Sequence, residues 1–294
     1  MKIVLITGAT GYIGSQLTIG LLNKGWSVNI ISRNSSNFSL LTQVKEDIVN
    51  HIHDGTMSGM NSILSNSKPD VVFHIASNTV INHSSEEVSP IIESNILFPT
   101  QLIEAMVSNN INRFINTGTF WQYYNNVPNN PVNLYAATKQ AFETILHYYT
   151  SCNEMKSITL ELYHTYGNND PRPKIFNLID KAFIEDSTLD MSPGDQLIDI
   201  VHIDDIVKAY IIAAERILSD TGKKKERFSL SSRNLISLKK LVGLYMEISG
   251  KNVKINWGGI DYREREIMIP WNRGVMLPKW EPSIQIIDGI KSMI

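Results

Sequence analysis

The chain contains a single cysteine, Cys152, among its 294 residues. One thiol excludes an intramolecular disulfide framework and is typical of proteins from a reducing compartment. Long apolar runs are also missing, because no stretch reaches the roughly 20 residues that a membrane-spanning helix needs. The apolar segment that opens the chain is too short for a signal peptide. We therefore expect a cytoplasmic protein that does not enter a membrane.

The chain also lacks a large net charge of either sign. Lys and Arg total 27 against 29 Asp and Glu, a net charge of -2, so the chain has no basic footprint for nucleic acid. His51 and His53 share one strand face, but no cysteine or carboxylate cluster accompanies them, and a metal site is not expected. Hydrophobic residues make up 43% of the chain, enough for one domain plus a lobe.

A glycine-rich segment near the start is the strongest signal that is present. Residues 7–14 read TGATGYIG and follow a continuous apolar run at residues 2–6, as expected of a parallel strand buried on both faces. The glycines let the backbone turn tightly, approach a pyrophosphate and pack a helix against the strand. A helix over residues 12–23 would aim its first amides at the phosphates. The predicted cofactor-binding residues of this turn are Gly8, Thr10, Gly11, Tyr12, Ile13 and Gly14.

The end of the second predicted strand, residues 27–31, indicates which dinucleotide binds. NAD-binding folds usually place an acidic residue there for the ribose 2′-hydroxyl, whereas this chain has Ser32, Arg33 and Asn34. An arginine can hold a 2′-phosphate through charge-assisted hydrogen bonds, and its neighbours can add donors. We therefore predict NADPH as the cofactor. The alternative is that Arg33 is a solvated loop residue.

Tyr135 and Lys139 stand four residues apart in a predicted helix over residues 134–150. Residues at this spacing share a helix face, so the phenol and the ammonium can point into one cleft. A tyrosine normally titrates near pH ~10, and a nearby cation lowers that pKa toward the range of efficient proton transfer. An ordinary amphipathic helix has the same spacing, but the glycine-rich turn upstream favours the chemical interpretation.

Strand-like and helical patterns alternate as far as residue 166. This alternation predicts an α/β fold with a Rossmann-type doubly wound parallel sheet, right-handed crossovers and ligands at the carboxyl ends of the strands. Asp54 and Gly55, at the end of the third strand, would meet the adenine. Further strands are predicted at residues 51–55, 70–74, 113–116 and 158–162, and a long helical pattern at 86–108.

Beyond residue 166, prolines and glycines interrupt the alternation, which suggests a second, smaller α/β lobe. The cleft between the two parts would hold the substrate. The predicted dinucleotide-binding domain comprises residues 1–166 with a return segment at about 198–218, and the predicted smaller lobe comprises residues 167–197 and 219–294.

Several further segments resemble the extended short-chain dehydrogenases/reductases, the NAD-dependent epimerase/dehydratase family. Together with the glycine-rich turn and the Tyr135/Lys139 pair, they cover nearly the whole chain: Asp54, residues 74–76, Asn95, residues 117–119, Tyr166-Gly167 and residues 201–205.

The resemblance implies roles for individual residues. Tyr135 would be the acid/base, Lys139 would lower its pKa and hold the nicotinamide ribose, and Thr119 would position the substrate carbonyl. Thr117 is the other candidate for the third role. Family members often pair through two long helices, so a homodimer is implied. The cofactor contacts implied beyond the glycine-rich turn are Ala76, Ser77, Asn95, Thr117, Tyr135, Lys139 and Tyr163.

Departures from the family pattern narrow the reaction. Sugar 4,6-dehydratases follow the hydroxyl residue with an Asp-Glu pair that eliminates water, whereas Phe120 and Trp121 follow Thr119 here; dehydration is therefore not expected. Epimerases of the family hold NAD tightly and usually carry the acidic residue that Arg33 replaces. The family's usual arginine before Tyr-Gly is Glu161 in this chain, and its usual asparagine is His164.

Residues 119–124, 133–139 and 163–170 together resemble the nucleotide-sugar 4-ketoreductases of bacterial dideoxysugar pathways. The implied reaction is NADPH-dependent reduction of the C4 ketone of a CDP-linked 4-keto-3,6-dideoxyhexose, with Tyr135 protonating the new alkoxide. The predicted substrate contacts are Asn78, Thr119, Phe120, His164, Asn168, Lys174 and Arg263.

Some assignments stay open at this point. His164 fits a satisfied interior histidine equally well, and Arg172 or Arg265 could supply the positive charge for a diphosphate in place of Lys174 or Arg263. An NAD(P)-dependent nucleotide-sugar epimerase and a non-catalytic dinucleotide sensor are the two alternative functions. An intact Tyr135/Lys139 pair argues against the sensor, which needs no acid.

Overall fold

One large parallel sheet organises the structure, a computed structural model in which residues 1–219 and 221–294 are described. Asp220, which falls in the predicted smaller lobe, lies outside the described residues. The strands are β1 (Ile3–Thr7), β2 (Ser27–Ser32), β3 (Ile48–Ile52), β4 (Val71–His74), β5 (Arg113–Thr119), β6 (Lys156–Leu162), β7 (His164–Tyr166), β8 (Leu189–Met191), β9 (Leu197–Ile198), β10 (Ile200–His202), β11 (Lys225–Leu230), β12 (Ile236–Ser237) and β13 (Ile255–Trp257).

Seven of these strands form the sheet, in the order β11-β6-β5-β4-β1-β2-β3. Each pairing in it is parallel. The predicted doubly wound parallel sheet is thereby confirmed. Its carboxyl edge gathers the ends of β1, β2, β4 and β5, the place where such folds bind ligands.

Helices cover both faces of the sheet. They are α1 (Tyr12–Asn23), α2 (Met57–Ser67), α3 (Val88–Ile92), α4 (Phe98–Ser108), α5 (Leu134–Cys152), α6 (Ile175–Ile184), α7 (Ile203–Leu218), α8 (Leu238–Ser249) and α9 (Ile286–Lys291). Val4 and Ile6 of β1 belong to a core shared with α1 and α7, while Leu5 belongs to one shared with α2, α4 and α5. A strand buried on both faces requires the continuous apolar run that opens the sequence.

The third strand departs from its prediction. It spans Ile48–Ile52, not residues 51–55. The reason lies in Asp54, whose carboxylate accepts hydrogen bonds from the backbone amide and the hydroxyl of Thr56 at 2.9 and 2.8 Å. Thr56 in turn caps α2 by accepting from the Gly59 amide at 3.0 Å. Asp54 and Gly55 therefore belong to the turn that starts a helix.

The long helical pattern at residues 86–108 is present as consecutive helical segments. A short 3₁₀ turn leads into α3, and a π-helical stretch, Glu93–Leu97, joins α3 to α4. The π segment carries Asn95, one of the predicted cofactor contacts.

Strand β11 lies within residues 219–294, the second part of the predicted smaller lobe, but it belongs to the main sheet. It pairs in parallel with β6, with Arg227 opposite Thr159 and Ser229 opposite Glu161. The return of the chain to the main sheet therefore extends through Leu230. β6 alternates apolar residues with buried polar ones, whereas β11 opens with three charged residues before its buried end, so their local patterns do not reveal that they pair.

A third apolar core lies outside the main sheet. It includes Phe176 and Ile179 of α6 and Leu241 and Tyr245 of α8. Short strand pairs frame this region: β7 with β10, β8 with β13, and β9 with β12. The division into two domains as a whole stays a prediction. Among the described helices, none combines the length and apolar character needed to cross a membrane.

Candidate active site

The glycine-rich turn closes tightly over the loop after β4. Gly8 has a φ of +75°, and a Cβ at this position would stand 2.5 Å from the backbone nitrogen of Ala76. A Cβ on Gly14 would lie 2.1 Å from the carbonyl oxygen of Gly8. Helix α1 then begins at Tyr12 with Gly11 as its N-cap, and no side chain caps its first amides. These amides form the kind of helix N-terminus that binds phosphate.

The end of β2 offers polar groups suited to a ribose phosphate. The Ser32 hydroxyl is buried and has no hydrogen-bond partner among the described residues. Arg33 and Asn34 are exposed beyond it, and the Arg33 amide donates to the Ser36 hydroxyl at 3.0 Å. The residues present therefore fit a dinucleotide whose pyrophosphate meets the glycine-rich turn and whose ribose lies at the end of β2.

Asn95 shapes the loop that follows β4. Its side-chain oxygen accepts from the Ser77 hydroxyl and the Asn78 amide at 3.0 and 2.7 Å. Its side-chain nitrogen donates to the Asn78 carbonyl and the Thr138 hydroxyl at 2.9 and 3.0 Å. The amide group is thus engaged by the protein itself, and it ties the loop to α5. Direct contacts of Ala76, Ser77 and Asn95 with a cofactor stay predictions.

Tyr135, Lys139 and Thr119 meet at the carboxyl edge of the sheet. Thr119 ends β5, and Tyr135 lies in the first turn of α5, which Asn133 caps by accepting from the Ala136 amide at 3.0 Å. Burial raises the pKa of Tyr135 to about 12, while a hydrogen bond with the Thr119 hydroxyl acts to lower it. Desolvation of the phenolate dominates the net shift, and the predicted lowering contribution of Lys139 stays a prediction.

Lys139 lies deeper than Tyr135. Its side chain is 1% exposed, and burial lowers its pKa from 10.5 to about 8. Its positive charge adds to the burial that lowers the pKa of His74, whose Nδ1 lies 2.9 Å from the Thr7 hydroxyl. The ammonium therefore sits near the ends of β1 and β4, beside the loop that the glycine-rich turn contacts.

Thr117, the alternative to Thr119, has its hydroxyl engaged elsewhere. The hydroxyl donates to the His74 carbonyl at 2.8 Å and lies 2.7 Å from the Tyr210 hydroxyl. Thr119 is therefore the residue whose hydroxyl meets Tyr135. Tyr163, another predicted cofactor contact, donates its hydroxyl proton to the Trp271 carbonyl at 2.5 Å.

Aromatic side chains line the region beyond Thr119. Phe120 stacks on Tyr163 with ring centroids 5.0 Å apart and meets His164 edge-on at 5.2 Å. Trp121 packs edge-on against Tyr135 at 6.4 Å. Trp121 is not among the predicted site residues. Its position two residues after Thr119 is the sequence feature that could have placed it in the site.

Three basic side chains surround His164. Burial and the charges of Lys174, Arg263 and Arg172 lower the pKa of His164 to about 3, so its imidazole is neutral. Arg263 lies over the Trp121 ring at 5.6 Å. The fold thus brings Arg263 to the segment that carries His164, Arg172 and Lys174. Contacts of His164, Lys174 and Arg263 with a substrate stay predictions.

Arg172 links this cationic cluster to the glycine-rich turn. Its Nε and Nη2 donate to the two carboxylate oxygens of Asp170 at 2.6 and 2.5 Å, and its guanidinium lies 4.8 Å from the Tyr12 ring centre. The Tyr12 hydroxyl donates to the Asn168 carbonyl at 3.1 Å. Arg172 is therefore partly neutralised, whereas the described residues show no ion pair for Lys174 or Arg263. Among the described residues, no group of His, Cys, Asp and Glu side chains could hold a metal ion.

A phosphate-binding turn on a doubly wound sheet, with a tyrosine, a lysine and a hydroxyl residue at the neighbouring strand ends, defines a class of nicotinamide-dependent oxidoreductases. The NAD dependent epimerase/dehydratase family matches residues 4–230. The chain belongs to this family, the extended short-chain dehydrogenases/reductases.

Curated relatives agree with that assignment. The CDP-abequose synthase of Yersinia pseudotuberculosis is 32% identical over 274 residues, 92% of each chain. The CDP-abequose synthase of Salmonella typhimurium is 25% identical over 99% of this chain and 97% of the relative.

The solved structures are more distant in sequence. A UDP-glucose 4-epimerase of Thermotoga maritima with UDP-glucose is 20% identical, with a TM-score of 0.85 over 99% of this chain and 96% of that chain. The 4-epimerase of Thermus thermophilus in complex with NAD is 19% identical, with a TM-score of 0.82 over 99% and 97% of the two chains. These two likenesses show the fold.

Proposed function

We propose that the protein uses NADPH to reduce the C4 ketone of a nucleotide-linked 4-keto-deoxyhexose, specifically a CDP-linked 4-keto-3,6-dideoxyhexose of O-antigen biosynthesis. The observation that carries the proposal is the juxtaposition of Thr119 and Tyr135 at the carboxyl edge of the sheet, beside the aromatic side chains of Phe120 and Trp121 and the cations around His164. Support for the substrate class comes from the two relatives named CDP-abequose synthase.

The pKa of Tyr135 suits a reduction. At about 12, it keeps the phenol protonated at neutral pH, so Tyr135 can give its proton to the oxygen of a ketone that is becoming an alcohol. The Thr119 hydroxyl, in contact with the phenol, orients the same oxygen. Lys139, with a pKa of about 8, is largely charged at neutral pH and stabilises negative charge that develops on Tyr135 after the proton has left.

A dinucleotide would be held by the glycine-rich turn at Gly8, Gly11 and Gly14, with Ser32 and Arg33 at its ribose 2′-phosphate. When bound, it supplies the reducing equivalents. The Ser32 hydroxyl and the Arg33 guanidinium are donors that suit a phosphate better than a ribose hydroxyl, which is the reason we propose NADPH over NADH.

The substrate's diphosphate would meet Lys174 and Arg263. Asp170 pairs with Arg172 alone, whereas Lys174 and Arg263 form no ion pair among the described residues. The cations around the neutral His164 repel one another, and an anionic ligand relieves that repulsion. The aromatic wall of Phe120 and Trp121 would then lie along the sugar. Phe120, His164 and Asn168 remain proposed substrate contacts, as does Asn78. The homodimer also stays a prediction.

A nucleotide-sugar 4-epimerase is the second candidate, because the Thr119, Tyr135 and Lys139 arrangement can also withdraw a proton from a C4 alcohol. The two activities differ in cofactor balance. A reductase consumes one NADPH for each product molecule, whereas an epimerase regenerates its cofactor in every cycle.

The test is to mix the purified protein with NADPH or NADH and a panel of CDP-, UDP- and dTDP-linked 4-keto-6-deoxy and 4-keto-3,6-dideoxy sugars. We expect loss of absorbance at the nicotinamide band with NADPH and the CDP-linked dideoxy sugar, equimolar with the alcohol product by NMR. A second arm mixes the protein with the oxidised cofactor and the corresponding C4-hydroxy sugar nucleotides, where C4 inversion without net cofactor loss would establish the epimerase instead. No reaction in either arm would overturn both activities.

A further inference from the structure

A buried hydrogen-bond network lies directly behind the Thr119–Tyr135 pair, and Gln122 stands at its centre. The Gln122 side chain is fully buried. Its Oε1 accepts from the Thr119 backbone amide at 3.0 Å, and its Nε2 donates to Gln140 Oε1 and Glu143 Oε1 at 3.0 and 3.1 Å. Thr119 ends β5, whereas Gln140 and Glu143 lie on α5. Gln122 therefore joins the strand end to the helix that carries Tyr135 and Lys139.

The same turn also fixes the direction of the Thr119 hydroxyl. Residues 119–122 form a capping box, in which the Thr119 Oγ1 accepts from the Trp121 amide at 3.3 Å while Gln122 accepts from the Thr119 amide. A hydroxyl has one proton to donate. With an acceptor position taken by Trp121, the Thr119 hydroxyl keeps its one proton for the reacting centre beside Tyr135.

Arg227, on β11, holds the side of the network that lies away from Thr119. Its guanidinium pairs with Glu143 and with Glu161, and it donates to the Tyr123 hydroxyl. Glu143 and Glu161 are 4% and 1% exposed. A buried carboxylate is tolerated when it is paired and hydrogen-bonded, so Arg227 holds Glu143 in place for Gln122.

Gly118 provides the room that this arrangement needs. A Cβ at Gly118 would lie 3.3 Å from both Gln122 Oε1 and Glu143 Oε1 and 3.0 Å from a methyl of Thr159. The side chains therefore pack closely over the backbone one residue before Thr119, and movement of either shifts the end of β5.

We propose that Gln122 and Glu143, braced by Arg227, are positioning residues that hold the Thr119 hydroxyl against Tyr135. The proposal rests on the proposed function for its kinetic consequence but not for its structural one. A displacement of about 1 Å at a reacting group can cost on the order of 100-fold in rate, so loss of this support should lower kcat far more than it alters the binding of either ligand.

The kinetic test uses Gln122→Met, which keeps the length of the side chain and removes its hydrogen bonds. We expect kcat to fall between about 10- and 100-fold, with KM for both ligands within about twofold of the wild-type value. Glu143→Gln, which keeps an acceptor for Gln122, should retain most of the kcat that Glu143→Leu loses. If Gln122→Met had the wild-type kcat, or if its KM rose by as much as its kcat fell, the proposal would be overturned.

Glu226→Gln is the matched control, because Glu226 stands next to Arg227 on the same strand and pairs with Arg216 on α7. It disturbs β11 without touching the network. We expect Glu226→Gln to lower the thermal unfolding midpoint, as Glu143→Leu does, while its kcat stays at the wild-type value. Equal losses of kcat in the two variants would mean that general loosening of β11, and not positioning, lowers the rate.

A second measurement requires no substrate. With ¹³C at the tyrosine Cζ, the Tyr135 resonance is assigned from its loss in Tyr135→Phe, and its shift reports the hydrogen bond to the phenol. Gln122→Met should move this resonance, and Glu226→Gln should leave it in place. An unmoved resonance in Gln122→Met overturns the proposal even if no sugar nucleotide is turned over. A moved resonance in a protein inactive on the whole panel supports it and refutes only the proposed function.

Discussion

At the scale of single residues, burial acts in opposite directions on the two groups that matter most. It raises the pKa of Tyr135 to about 12 and lowers that of Lys139 to about 8, because an apolar environment disfavours whichever form is charged. At neutral pH the site therefore holds a protonated phenol and a buried ammonium whose charge destabilises the fold. Proton donation fits this state better than proton removal.

Removal of the Lys139 charge should stabilise the fold. Below pH 8 the lysine is charged in both states and the full cost of its burial is present. Between pH 8 and 10.5 the unfolded chain holds a proton that the folded chain has lost, so stability rises with pH. We expect Lys139→Met to gain on the order of 3 kcal/mol in free energy of unfolding at pH 7, a gain that shrinks by pH 10. Urea unfolding at both pH values checks this.

We also expect Lys139→Met to change catalytic activity. Lys139→Met should turn over poorly although it is more stable, a trade of stability for function. A stability gain that grows with pH, or none at pH 7, would contradict the assigned burial of the charge.

Sequence reasoning located these residues but not their electrostatics. The four-residue spacing places Tyr135 and Lys139 on one helix face, and the family resemblance singles out Thr119, three residues beyond the predicted strand at 113–116. The sign of the Tyr135 shift depends on what surrounds the phenol, including Trp121 from the following turn. No local pattern encodes that environment.

At the scale of elements, the glycine-rich turn is the least replaceable part of the fold. A Cβ on Gly14 would collide with the Gly8 carbonyl at 2.1 Å. We expect Gly14→Ala to cost about 3 kcal/mol of folding stability and to abolish dinucleotide binding, measured by thermal unfolding and fluorescence titration with NADPH.

Gly243→Ala is the control for that substitution. Gly243 lies within α8, and its Cβ would meet nothing within 4 Å. Because alanine favours helix over glycine, this variant should gain up to about 1 kcal/mol. Equal behaviour of the two variants would contradict the close approach of the turn to α1.

Element prediction succeeded where one pattern decided the structure. The buried run of β1 and the 3.6-residue pattern of α5 each specify their element. The pairing of β11 with β6 and the network of Glu143, Glu161 and Arg227 rest on residues distant in sequence. Glu161 replaces the family's usual arginine, and a buried carboxylate there requires a cation from another part of the chain, which is Arg227.

At the scale of the whole molecule, Asp205 fastens the C-terminal segment to the start of α7. Its carboxylate accepts from the Ser283 amide and hydroxyl and the Ile284 amide at 3.0, 2.8 and 2.9 Å. Its backbone carbonyl accepts from the Trp280 indole at 2.8 Å. Since α9 follows this segment and packs near β10, the contacts link the main sheet to the remaining core.

Asp205→Ala should therefore destabilise the protein by about 3 kcal/mol, since it removes three hydrogen bonds to a buried carboxylate. Asp204→Ala, one residue earlier and exposed, should change stability by no more than about 0.5 kcal/mol. Chemical denaturation of the two variants beside the wild type makes the comparison. Similar losses would show that the carboxylate contacts of Asp205 contribute little.

The central claim is that Tyr135 donates the proton in a ketone reduction. The most direct test is a single-turnover measurement of NADPH oxidation with a CDP-linked 4-keto-3,6-dideoxy sugar, for the wild type and for Tyr135→Phe. We expect equimolar oxidation by the wild type and a rate lower by about 10²- to 10⁴-fold in the variant, with NADPH binding unchanged. An unchanged rate in Tyr135→Phe would contradict the account.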